Sequence, residues 1–203
     1  ARKEHTSLLL ADGRVLIIGG LVNETVDGPN IDSLNSTEIY DPASDSWSLG
    51  AVMAQGRGLH TATTLPDGKI LVTGGLNTAR QPLNSAESYD PTNDSWAPAA
   101  SMSQARDGHT ATLLSDGRVL VVGGNGTSAG LSLTSAEIYD PSSNSWSSAG
   151  NMLDGRSHHT TVQLNDGRVL VAGGLLGPNN PLSTVDFYST GTNSWSSAIQ
   201  PSK

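Results

Sequence analysis

Apolar residues occur along this chain in short runs, each closed by a cluster of turn formers. One stretch shows the pattern plainly. His109 to Leu114 reads as a first strand, and Ser115-Asp116-Gly117 as a tight hairpin turn, since Asp-Gly favours the positive φ angles of two-residue hairpin loops. Arg118 to Val122 is a β-branched run ended by Gly123-Gly124. Ala136 to Tyr139 is a third strand, and the proline of Asp140-Pro141-Ser142-Ser143-Asn144 starts a turn with φ already set. A fourth strand centres on Trp146. Nothing keeps a helical period for more than a turn. The predicted fold class is all-β.

The same order recurs four times. Gly pairs stand at Gly19-Gly20, Gly74-Gly75, Gly123-Gly124 and Gly173-Gly174, spaced 55, 49 and 50 residues. Trp47, Trp96, Trp146 and Trp195 keep steps of 49, 50 and 49, each seven residues after Tyr40, Tyr89, Tyr139 or Tyr188. His5, His60, His109 and His159 each follow an arginine (Arg2, Arg57, Arg106, Arg156) by three residues. A period of this size indicates a repeat architecture. The units run approximately over residues 1–52, 53–101, 102–151 and 152–203, and each predicts one four-stranded antiparallel blade.

The order R-x-x-H-T, D-G-[RK]-[VI]-L-[VI], Gly-Gly, S-x-E-x-Y-D-P and [DN]-S-W resembles the kelch repeat in its bacterial form, and it covers essentially the whole chain. The resemblance implies a β-propeller, here a single domain over residues 1–203. The last unit departs mildly, with Asp186 in place of Glu38, Glu87 and Glu137, and Ser189-Thr190 in place of Asp-Pro.

Composition narrows the function. Cysteine is absent, so disulfides and thiolate metal sites are excluded. The net charge of −8 argues against nucleic acid or an anionic membrane as partner. No apolar run is long enough to span a bilayer, and no signal-like start is present. The chain opens on a repeat motif without an initiator Met, so it reads as a trimmed or mature segment; an extracellular or periplasmic setting is the first expectation, a cytoplasmic one the second.

Alternating strand direction sorts the loops onto two faces. One collects the turn aspartates Asp12, Asp67, Asp116, Asp166, Asp41, Asp90, Asp140, Asp45 and Asp94, offset only by Arg14, Lys69, Arg118 and Arg168. Turn chemistry and solubility explain these; D-P-x-x-[DN] clusters too few oxygens for a calcium loop. The opposite face carries variable loops, residues 21–35, 76–84, 125–134 and 175–182, where recognition is usually built. Candidate ligand-binding residues there are Asn23, Asp27, Arg80, Gln81 and Asn179.

Arg2, Arg57, Arg106 and Arg156 enter the innermost strands and are expected at the mouth of a central channel. Kelch adaptor domains, by resemblance, hold acidic peptides with arginines at this position, and a guanidinium fork suits a carboxylate. The competing reading pairs each arginine with the strand-three Glu or backbone carbonyls. The fourfold histidines read as packing residues, and His158-His159 as a weak metal candidate. Thr6, Thr61, Thr110 and Thr160 suit a narrow bore; an ion or waters there would be structural, and no cofactor is expected. No Gly-x-Ser-x-Gly, zincin, P-loop or dinucleotide motif is present, and the copper chemistry of galactose oxidase needs a cysteine this chain lacks.

Joining Lys203 to Ala1 continues the repeat without a gap, so the chain is an integral number of units. A ring closed at four, a piece of a longer array and a half-ring pairing with a second copy all follow. Uncapped ends would expose a strand edge and invite self-association. The leading expectation is a non-enzymatic scaffold that binds a protein, acidic peptide or glycan. The alternatives are a non-catalytic part of a carbohydrate-active enzyme and a purely architectural module.

Overall fold

The computed structural model describes residues 1–22, 32–128 and 131–197, and their regular structure is entirely β. The first blade holds β1 (Thr6–Leu9), β2 (Val15–Ile18), a two-residue ladder of β3 (Leu21–Val22) and β4 (Asp32–Ser33), then β5 (Thr37–Asp41) and β6 (Ser46–Leu49). The second holds β7 (Thr61–Thr64), β8 (Ile70–Thr73), β9 (Ala86–Asp90) and β10 (Ser95–Ala99). The third holds β11 (Thr110–Leu113), β12 (Val119–Val122), β13 (Ser135–Asp140) and β14 (Ser145–Asn151). The fourth holds β15 (Thr160–Gln163), β16 (Val169–Ala172), β17 (Val185–Ser189) and β18 (Ser194–Ser197). Each blade is an antiparallel meander, its four strands paired in chain order. Two compact units result, Ala1–Ser101 with the first two blades and Met102–Lys203 with the last two.

Strand two is the apolar centre of every blade. Leu16, Ile18, Ile70, Leu71, Val72, Val119 to Val122, Val169 and Val171 are all buried. In the first unit they pack with Leu10, Ile39, Met53 and Tyr89, and in the second with Leu114, Ile138, Ala149, Met152 and Tyr188. Each buried aliphatic side chain contributes roughly 1.5–3 kcal/mol. Strand-one edges of neighbouring blades meet within each unit, β1 against β7 and β11 against β15.

The turns explain the polar landmarks. The Asp-Gly hairpins are three-residue loops, not two-residue ones: Gly117 N–H donates to Leu114 O at 2.9 Å, and Leu114 N–H to Arg118 O at 2.8 Å. Only the glycine, at φ 86°, leaves the ordinary region, giving a type I turn closed by a left-handed residue. The aspartate instead accepts from the arginine two residues on, as Asp116 Oδ1 does from Arg118 N–H at 3.1 Å. At the second turn Asp45, Asp94, Asn144 and Asn193 take positive φ. Each also accepts the hydroxyl of the blade's tyrosine, at 2.8, 2.8, 2.9 and 2.8 Å. The Ser189-Thr190 departure leaves this bond in place. Tyrosine and tryptophan face each other across strands three and four, with ring centroids 5.1–5.2 Å apart.

The Gly pair is steric. A Cβ on Gly123 would stand 2.4 Å from Arg156 O and 3.0 Å from the His159 ring, and one on Gly124 would stand 2.6 Å from Asp107 O. These bare positions let the next blade's linker, at Gly123, and the blade's own, at Gly124, approach the end of strand two.

Candidate interaction surface

The repeated arginines follow the competing reading, each pairing with strand three, and the expectation that they hold a ligand is corrected for the three that are wholly buried. Arg57, Arg106 and Arg156 are wholly buried. Their Nη2 atoms pair with Glu87 at 2.8 Å, Glu137 at 2.8 Å and Asp186 at 2.6 Å. Their Nη1 atoms donate to the carbonyls of Gly74, Gly123 and Gly173 at 2.7, 2.6 and 2.9 Å. Arg2 pairs likewise with Glu38. The second oxygens of Glu87 and Glu137 accept the linker amides of Ala54 and Ser103, both at 2.7 Å. Each pair therefore clamps strand two, strand three and the linker into its own blade. Burial pulls Arg57 and Arg106 below the usual arginine value, with Glu87 and Glu137 opposing.

The histidines join blades within a unit. His60 Nε2 lies 2.9 Å from Thr6 Oγ1, and His159 Nε2 lies 2.9 Å from Thr110 Oγ1. Burial, reinforced by Arg57 or Arg156 nearby, lowers both imidazoles to about 3. His5 is exposed. Among the described residues no group of three His, Asp or Glu is placed to hold a metal, and His158 and His159 do not form one.

The acidic turn face is occupied by its own bonds. Asp41, Asp90 and Asp140 cap backbone amides two residues on, at 2.8, 2.9 and 2.9 Å. Asp12, Asp116 and Asp166 pair with Arg14, Arg118 and Arg168. Hydrogen bonds from these partners hold all six carboxyls below the usual value.

On the opposite face the loops are tied in pairs. In the first unit Ser33 Oγ lies 2.9 Å from Thr78 Oγ1. In the second, Gly177 N–H donates to Ser132 Oγ at 3.0 Å. Arg80 (φ 56°) and Gln81 stand exposed on a turn held by Asn77. Asn179 is exposed beside Leu176, and Leu131 is 64% exposed. Asn23 and Asp27 lie outside the described residues.

A family model described as the KLHDC2/KLHL20/DRC7 kelch-repeats domain matches residues 4–203. The chain belongs to the kelch-repeat family. It is also 34% identical over 77 residues to the kelch-like protein terF of Aspergillus terreus, covering 37% of this chain and 16% of the relative's length.

Against the other blades, the third differs at one bridge. The position after the arginine bridges the position after the Gly pair in every blade: Lys3 with Leu21, Gly58 with Leu76, Asp107 with Asn125, Ser157 with Leu175. Only the third blade puts two polar side chains there. Asn125 Nδ2 donates to Asp107 Oδ1 at 3.1 Å, and Asp107 is 5% exposed. Beside it Gly108 replaces Glu4, Leu59 and His158 of the other blades, and the His158 ring of the next blade lies on it. Sequence reading had singled out His158 alone of these four residues. Among the other three only Asn125 carries a signal in the repeat, as it breaks the leucine of Leu21, Leu76 and Leu175.

Proposed function

We propose that this kelch chain is a protein-binding scaffold whose partner docks on the strand-two to strand-three loops. The observation that carries the reading is the cross-loop bonding, Ser33 to Thr78 and Ser132 to Gly177. It holds exposed, blade-specific side chains in a fixed arrangement before any partner arrives, which lowers the ordering cost of binding. The repeat-wide arginines, His60, His159 and the turn aspartates are engaged by bonds within the fold, which leaves the variable loops for recognition. Affinity capture followed by site-specific cross-linking from positions 80 and 179 tests it. Arg80→Ala, Gln81→Ala and Asn179→Ala together should abolish retention of the cross-linked partner, while Asp41→Asn and Asp140→Asn leave it intact. Loss from the turn-face changes instead, or turnover of a sugar substrate by the purified chain, would overturn it.

A further inference from the structure

We propose that Asp107, Asn125 and His158 form a receptor for one lysine ammonium of a protein partner, set in the loop face of the second unit. The proposal rests on the scaffold reading and adds the chemistry the partner must bring. Asn125 stands where the other three blades have leucine, and Asp107, Gly108 and His158 stand at positions whose residue differs in every blade. Blades two and four fill the same bridge with Gly58–Leu76 and Ser157–Leu175, so folding a blade requires neither a carboxylate nor an amide there. A buried carboxylate is retained all the same, and no Lys or Arg pairs with it among the described residues. The nearby arginines are committed elsewhere, Arg106 to Glu137 and Arg156 to Asp186.

The surroundings orient that charge. Asn125 presents its Nδ2 to Asp107, which turns its amide oxygen into a further acceptor. A Cβ on Gly108 would stand 2.9 Å from His158 Cε1, so glycine there leaves the ring its room in this position. His158 itself sits at φ 53°, its N–H on Gly108 O at 2.8 Å and its Nδ1 3.3 Å from Ser157 Oγ. The strained backbone fixes an exposed imidazole beside a buried carboxylate. Burial raises the Asp107 carboxyl from its usual value, opposed by the Asn125 bond and by His158. An unneutralised carboxylate in such a setting favours a cation. One carboxylate, one amide oxygen and one imidazole are too few for a divalent metal, but match the three donors of an ammonium. The loops around it, 125–134 and 175–182, contain no charged residue, and the chain's net charge of −8 favours approach of a basic partner.

The test is an amide-resolved NMR titration of the full chain with two capped pentapeptides, acetyl-Gly-Gly-Lys-Gly-Gly-amide and its Nε-acetylated form. The expected result is saturable shifts at Asp107, Gly108, Asn125 and His158 with the charged peptide. Binding should weaken about tenfold or more on acetylation and in Asp107→Asn, as loss of a charge-assisted bond requires. Asn125→Leu, which restores the residue type of blades two and four, provides a second variant that keeps a native bridge. It should also weaken binding, while Asp90→Asn on the turn face should not. Equal binding of both peptides, persistence in folded Asp107→Asn, or absence of saturable shifts would overturn the proposal. If the peptides fail while partner retention still depends on Arg80 and Asn179, the lysine receptor falls and the scaffold reading stands. If retention is independent of the loops while the peptides bind, the reverse holds.

Discussion

Lowering the pH from 7 to 5 should destabilise each unit through a buried imidazole, His60 in the first and His159 in the second. His60 is 5% exposed, bonded to Thr6, and held near a pKa of about 3 by burial first and the Arg57 charge second. His159 has the same environment in the second unit, with Arg156 and His158 nearby. In the unfolded chain each titrates near 6.5. Because the folded value is the lower one, the unfolded state takes up a proton first. Stability is therefore fully present above pH 6.5, falls as the pH drops, and stops falling near pH 3. At pH 5 the loss is about 2 kcal/mol per histidine, from RT ln(1 + 10^1.5). The turn carboxylates remain ionised over this range, because their partners hold them below the usual value. Hydrogen exchange read by mass spectrometry at pH 7 and pH 5, corrected for intrinsic rates, gives an opening free energy for each unit separately. His60→Gln should remove about 2 kcal/mol of pH dependence from peptides of residues 1–101 and leave residues 102–203 unchanged; His159→Gln should do the converse. An unchanged pH dependence in His60→Gln would refute the assignment of acid sensitivity to this buried ring.

Three further outcomes follow from the same geometry. Arg106→Met should cost about 3–5 kcal/mol in urea unfolding, because Glu137 is left buried without its partner; the double change with Glu137→Met should recover much of it. A single-variant cost near that of an exposed pair would show that the buried clamp is not holding the blade. Gly123→Ala should lower the melting temperature far more than Gly167→Ala: both have positive φ, but only the Gly123 Cβ meets a backbone carbonyl, at 2.4 Å. Asp107→Asn should stabilise the second unit at pH 7 and lose that advantage on acidification. The folded Asp107 carboxyl is raised, so its contribution is best below the unfolded pKa and worsens as the pH rises through the folded value.

The blade order, the strand positions and the Tyr-Trp pairing were legible because each follows from local periodicity and turn chemistry. The predicted run Arg118 to Val122 is seen as Val119–Val122, and Ala136 to Tyr139 as Ser135–Asp140. The pairing of the arginines with strand three was legible as one of two readings, but the complete burial of three of them was not, because it depends on a partner about thirty residues away in chain. Arg57 meets Glu87 only once three strands have paired. The methionines were missed for want of attention to the linkers. Met53, Met102 and Met152 each stand six residues after a tryptophan and are buried, at 1%, 2% and 4% exposure, so their recurrence was itself a core signal. Equal letters also hid unequal settings. Trp96 donates to Ala51 O of the preceding linker at 3.0 Å, whereas Trp47 is 60% exposed. A repeat specifies the blade; the neighbour beside that blade decides what is covered.

That separation bears on where recognition chemistry can arise in such a fold. A residue present in every blade evolves under the demands of every blade, and here it is engaged within the structure: arginine with glutamate or aspartate, tyrosine with a turn aspartate or asparagine, His60 and His159 with threonine. Such a position cannot serve a ligand in one blade without breaking the clamp it forms there. A position whose residue differs from blade to blade is under no such constraint. Asp107 and Gly108 occupy two such positions beside Asn125, which replaces a recurring leucine, and His158 completes the set from the next blade. A buried carboxylate without a countercharge weakens the blade that carries it. Its presence where glycine or serine would serve the fold is best accounted for by a ligand that supplies the missing charge.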